Sequence, residues 1–136
     1  MVGSRSGSRV PAIHGIPPSA TSDQLKTFGA GAASAGSVAL FHVIGLTPEA
    51  RIQDPFGGVS PDEVVTVTRA ELDGMASRIS TAAPGEKVDM VTLGCPLLSV
   101  EELKGVAAKM PARRVRKDMH FWMYLAGERR TSWGLV

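Results

Sequence analysis

The 136-residue chain has a single cysteine, Cys95. One cysteine excludes an internal disulfide, and it excludes a zinc cage built from this chain alone. Because structural disulfides are rare in reducing compartments, a lone cysteine fits a protein of such a compartment, and we expect a cytoplasmic location.

Long apolar segments, a secretory signal and a strong charge are also missing. No apolar run approaches the roughly 20 residues that span a bilayer, and no apolar signal core lies near the start. The net charge is +2, and the basic run at 113–117 has no interleaved aromatic residues. Both features argue against nucleic-acid binding. We therefore expect neither a membrane nor a nucleic-acid partner.

The remaining composition is that of a globular protein. Apolar residues make up 43% and charged residues 21% of the chain, and the length suits one domain or part of one. Residues 1–9 are rich in Gly and Ser, which predicts a flexible leader. We expect an α/β domain over residues 10–126, followed by a tail at 127–136 that has no clear pattern.

Three helix starts carry the same local signal. The capping box places Ser or Thr at the cap with Glu or Gln three residues later, and it occurs at 21–24, 68–71 and 99–102. Apolar residues at helical spacing follow each box. The sequence therefore predicts helices that begin at these three places.

Apolar runs between these helices predict strands. The runs lie at 37–45, 64–67, 88–93 and 119–126, and a loop rich in Gly and Pro is expected over 49–61. The run at 37–45 is continuous and contains β-branched residues, as in a strand buried on both faces. Alternation of strands and helices predicts an α/β fold with a mostly parallel sheet and flanking helices.

Cys95 has two interpretations. The strand at 88–93 is expected to stop at Gly94-Cys95-Pro96, which would put the thiol at the carboxyl end of the sheet, where ligands bind. The helix that begins near Ser99 would favour a thiolate there. Alternatively, Cys95 is a small buried apolar residue, as cysteines often are.

His42 also has two interpretations. A lone histidine in an apolar strand is usually a hydrogen-bonded core residue, while a general base needs a partner such as a carboxylate. Glu49 is the nearby acidic candidate in the sequence. The turn at 45–49 either reverses the chain or faces a ligand at the sheet edge that carries Cys95.

Four motifs occur in order along the chain. They are Ile16-Pro-Pro18 before the helix at Thr21, Val38-Ala-Leu-Phe-His-Val-Ile-Gly-Leu-Thr-Pro-Glu-Ala50, Val65-Thr-Val-Thr-Arg69, and Leu93-Gly-Cys-Pro96 with Ser99 to Leu103. Together they resemble the large catalytic subunit or domain of the aconitase X family, over about residues 11–110. The implied fold is an aconitase-like α/β fold, of which this chain would be a partial domain.

The resemblance implies a hydro-lyase. Members of that family include cis-3-hydroxy-L-proline dehydratase and the phosphomevalonate dehydratase large subunit, which act on small hydroxy acids. The family uses an iron–sulfur cluster held by cysteines from separated parts of a longer chain, and Cys95 matches one of these ligands. The open iron acts as a Lewis acid on the leaving hydroxyl while a base removes a proton from the adjacent carbon.

The match corresponds to the middle of a family chain of several hundred residues. The other cluster cysteines would have to come from outside this chain, through a complementary subunit or chain that completes the active site. The alternative is a non-catalytic α/β interaction domain, or a remnant, in which Cys95 is buried and inert.

Overall fold

A computed structural model describes residues 1–52, 54–110, 114–125 and 127. The chain divides into a first unit, Met1–Glu86, and a second unit, Lys87–Val136. The helices and strands, in chain order, are α1 Val2–Ser6, β1 Ala12–Ile13, α2 Ser22–Gly36, β2 His42–Val43, α3 Pro48–Ile52, α4 Arg69–Ile79, β3 Met90–Leu98, α5 Val100–Lys109 and β4 His120–Leu125.

Both strand pairs are parallel. In the first unit β1 pairs with β2, and in the second unit β3 pairs with β4. Along the sequence a helix connects the two paired strands in each unit, since α2 follows β1 and α5 follows β3. The prediction of an α/β fold with parallel strands and flanking helices is therefore confirmed, although the described strands form two two-stranded sheets. The single domain expected over 10–126 stays a prediction.

The three predicted helix starts are confirmed. At α2 the Thr21 hydroxyl accepts a hydrogen bond from the Gln24 amide at 3.2 Å, and the Gln24 side chain accepts one from the Thr21 amide at 2.9 Å. The same reciprocal pair begins α4 and α5. Because both partners lie within four residues, the signal is local and can be seen in the sequence.

The start of the chain differs from the flexible leader expected over residues 1–9. Val2–Ser6 form α1, which packs on α2 through small residues. A Cβ atom on Gly3 would overlap the carbonyl oxygen of Ala32, and one on Gly36 would overlap the carbonyl oxygen of Gly3. The two backbones approach this closely because neither glycine has a side chain.

The strand predicted over 37–45 is much shorter in the structure. Only His42 and Val43 pair with β1, although Val43 is buried at 1% exposure. The partner limits the pairing, because Pro11 has no N–H to donate and the chain turns away at Gly15, whose φ is 87°. Leu40 is half exposed, so the expected burial on both faces does not hold along the whole run.

Two further predictions in the first unit are wrong. The loop expected over 49–61 contains most of α3, which has Pro48 at its first position, where proline is favoured, and contacts β2. The strand expected at 64–67 is absent, and Val64 is 82% exposed. The carbonyl of Thr66 accepts a hydrogen bond from the Arg5 guanidinium at 3.5 Å rather than from a neighbouring strand.

In the second unit the predicted helix start and last strand hold, whereas β3 begins two residues later and ends five residues later than the run at 88–93 predicts. β4 occupies most of the run expected at 119–126, of which residue 126 lies outside the described part. α5 ends at Lys109. Pro111, where the sequence predicts the end of this helix, also lies outside the described part of the chain. Arg114–Lys117, the described part of the basic run, is exposed.

Candidate functional site

Cys95 lies inside β3 and not after it. The strand runs from Met90 to Leu98, so the expected stop at 94–96 is wrong. Pairing with β4 is irregular between Leu93 and Leu98, and the Cys95–Pro96 peptide bond is cis. Proline is tolerated at such an irregularity and on a strand with a free edge, because no ladder hydrogen bond from its nitrogen is needed there.

Gly94 brings the two strands unusually close beside the thiol. Its φ is 121°, which side chains of L-residues rarely allow, and a Cβ atom on it would overlap the backbone oxygen of Tyr124. The same added atom would lie 2.7 Å from the Tyr124 Cβ. The backbone that precedes Cys95 can therefore take this path only with glycine at position 94.

The Cys95 thiol is free and exposed. The interpretation as a buried apolar residue is therefore wrong with respect to burial. An exposed thiol can reach a ligand or a partner chain. The structure thus keeps Cys95 chemically accessible, whichever function the chain has.

Carboxylates occupy the end of α5 that the sequence analysis expects to favour a thiolate. The first turn of the helix carries Glu101 and Glu102, and the Glu102 carboxylate accepts a hydrogen bond from the Ser99 amide at 2.8 Å. These carboxylates already stand at the positive end of the helix dipole, where they offset its field.

A complete metal site does not fit within the described residues. No group of three or more His, Cys, Asp or Glu side chains there could hold a metal ion. With one cysteine in the sequence, this chain can supply one thiolate to an iron–sulfur cluster and no more. The residues present fit one ligand position of a cluster and not a cluster held by this chain alone.

His42 is the second residue that the sequence pointed to. It begins β2, and its backbone amide donates to the Pro11 carbonyl at 2.9 Å. Its side-chain Nδ1 is buried and has no hydrogen-bond partner within the described part of the chain. Glu49, in α3, is exposed and does not bond to that nitrogen. The expectation of a hydrogen-bonded core histidine therefore fails at Nδ1.

The turn after β2 closes back on the strand. Gly45 has a φ of 78°, and the Leu46 amide donates to the Val43 carbonyl at 2.9 Å. The Thr47 hydroxyl accepts from the Val43 amide at 3.1 Å. These bonds support simple chain reversal for residues 45–49.

Cys95 and His42 belong to different units. The structure places the histidine and the turn at 45–49 in the first unit and the cysteine in the second. That they share one ligand-binding edge stays a prediction.

An ionic link between α1 and α4 has no signal in the sequence. The Arg5 guanidinium donates to the Glu71 carboxylate at 2.5 Å, and hydrogen bonds from the Thr68 amide and hydroxyl, together with Arg5, hold the pKa of Glu71 below its ordinary value. A groove of about 290 Å³ lies beside this pair and includes Arg78. It contains neither candidate residue, and Arg5 is already paired with Glu71. We therefore assign the groove no catalytic role.

In the part of the chain that the structure describes, no helix has the length and apolar character needed to cross a membrane.

Comparison with known proteins assigns the chain to a family. Residues 1–77 match the family model for the aconitase X second domain. The phosphomevalonate dehydratase large subunit of Methanosarcina mazei is 34% identical over 122 residues, which is 90% of this chain and 28% of that protein. The cis-3-hydroxy-L-proline dehydratase of Hypocrea jecorina is 36% identical over 109 residues, which is 79% of this chain and 18% of that protein.

A solved structure shares the fold. The crystal structure of the holo form of Thermococcus kodakaraensis aconitase X matches with a TM-score of 0.65 and 30% sequence identity. The match covers 80% of this chain and 26% of the other. This chain thus spans roughly a quarter of the length of such relatives, which confirms the expected aconitase-like partial domain.

Proposed function

The chain belongs to the aconitase X family, and from that membership we propose that it forms part of an iron–sulfur-dependent hydro-lyase and is incomplete alone. The observation that carries the proposal is the exposed thiol of Cys95 in a chain that is similar to dehydratases over 90% of its own length. The shared stretch is 28% of one such relative, so the rest of an active site would have to come from elsewhere.

The substrate class follows from the named relatives. One is a phosphomevalonate dehydratase subunit and another a cis-3-hydroxy-L-proline dehydratase. Both substrates are small hydroxy acids, and loss of water from such a molecule is the reaction we propose here. A complementary subunit or chain is the proposed protein partner, since the first relative is itself a large subunit.

Cys95 is the proposed cluster ligand of this chain. When bound, an iron–sulfur cluster with an open iron supplies a Lewis acid for a leaving hydroxyl. Cys95 contributes one thiolate, and the remaining cysteines come from outside this chain, which has no other.

His42 remains the candidate for proton transfer. The support is its buried Nδ1, which has no hydrogen-bond partner within the described residues; an unsatisfied buried polar atom of this kind is one of the marks of a catalytic residue. We further propose a cytoplasmic location, on the argument that a lone exposed thiol suits a reducing compartment.

Anaerobic reconstitution with iron and sulfide tests the proposal. The purified chain is treated alone and together with a polypeptide that carries the missing part of an aconitase X large subunit, and iron content and visible absorbance are measured. We expect stable iron only in the mixture. Cys95→Ser should remove that iron without unfolding the chain, because the side-chain volume hardly changes.

Iron retained by the Cys95→Ser mixture would contradict the ligand role. His42→Ala serves as the matched control, since it should keep the cluster and change only turnover of a hydroxy acid. Absence of iron from every mixture would favour the second candidate function, a non-catalytic α/β interaction domain. The observation that favours this second candidate is the absence of a multi-ligand metal site within the described residues.

A further inference from the structure

We draw no further inference here: the strongest candidate, the groove of about 290 Å³ between α1 and α4, carries no proposal, because its Arg5 is already paired with Glu71 and nothing in the described part of the chain shows a ligand for Arg78.

Discussion

The two units of the chain bury their apolar residues to different extents. Among its described residues the first unit contains four buried apolar residues, Ala32, Val38, Val43 and Ala50. Among the described residues of the second unit none is buried, although most of β4 is aromatic or aliphatic. Apolar residues thus form a small closed core in the first unit but leave an exposed sheet in the second, which is not poorer in them.

The difference lies in the packing partners. In the first unit small residues let elements approach each other, as where the Phe41 ring packs on Gly29 of α2 and lies 5.1 Å from the Phe28 ring. Among the described residues of the second unit, one helix of ten residues contacts a two-stranded sheet whose strands are apolar on both faces. Apolar content alone does not make a core; each face needs a second layer.

The strongest way to disturb the second unit is Gly94→Ala. The new Cβ atom would overlap the Tyr124 backbone at a φ of 121°, which should lower stability by about 3 kcal/mol through strain and overpacking. Hydrogen exchange of the β4 amides measures the loss. Gly105→Ala in α5 is the control: it meets no atom within 4 Å and should stabilise the helix by about 0.5–1 kcal/mol. Similar exchange in both variants would refute the close approach.

Two side-chain truncations compare the packing of the two units directly. Val43→Ala removes the most buried large side chain of the first unit and should cost about 2–3 kcal/mol. Leu103→Ala in α5 removes a half-buried side chain of the second unit and should cost about 1–2 kcal/mol, below the usual range for a fully buried leucine. Urea unfolding followed by circular dichroism gives both values. A larger loss for Leu103→Ala would reverse the comparison.

The glycine contact between α1 and α2 can be tested within one helix. Gly36→Ala would push a Cβ atom into the carbonyl of Gly3, and we expect a loss of about 1–2 kcal/mol. Gly31→Ala, five residues earlier, meets nothing within 4 Å and should gain about 0.5–1 kcal/mol from better helix propensity. Thermal unfolding measures both changes, and a gain in both variants would show that the helices do not touch there.

The smallest predicted effect is a pH-dependent change at the start of α4 in the first unit. Hydrogen bonds from the Thr68 amide and hydroxyl, with Arg5, lower the pKa of Glu71 in the folded chain. A lowered carboxyl pKa stabilises the fold at neutral pH, and this contribution is lost as the pH falls through that pKa. The amide resonances at the start of α4 should therefore shift below about pH 4. Glu71→Gln keeps a capping box like that of α2 and should abolish the shift; persistence of the shift would exclude Glu71 as its source.

Sequence reasoning worked where the signal is local. All three helix starts follow from a cap residue and a partner three positions later, as at Thr21 and Gln24. The assignment to an α/β fold followed from the order of apolar runs. These features need no knowledge of what lies next to them in space.

The strand predictions failed where strand formation depends on a partner strand elsewhere in the chain. The run at 64–67 has the right residues but no strand partner among the described residues, and 37–45 pairs only where β1 is available. Gly94 and Pro96 commonly end a strand, so the sequence predicts Cys95 after one, whereas a strand with a free edge tolerates both. Its exposure, and the unpartnered Nδ1 of His42, depend on packing that the sequence does not encode locally.

The position of α1 has a consequence for proteolysis. Arg9 is exposed, so trypsin could cut after it. The peptide released would still contain Gly3, against Ala32, and Arg5, bonded to Glu71. A nicked chain should therefore keep its first nine residues bound without a covalent link, and digestion would be visible in a denaturing gel but not in a native one.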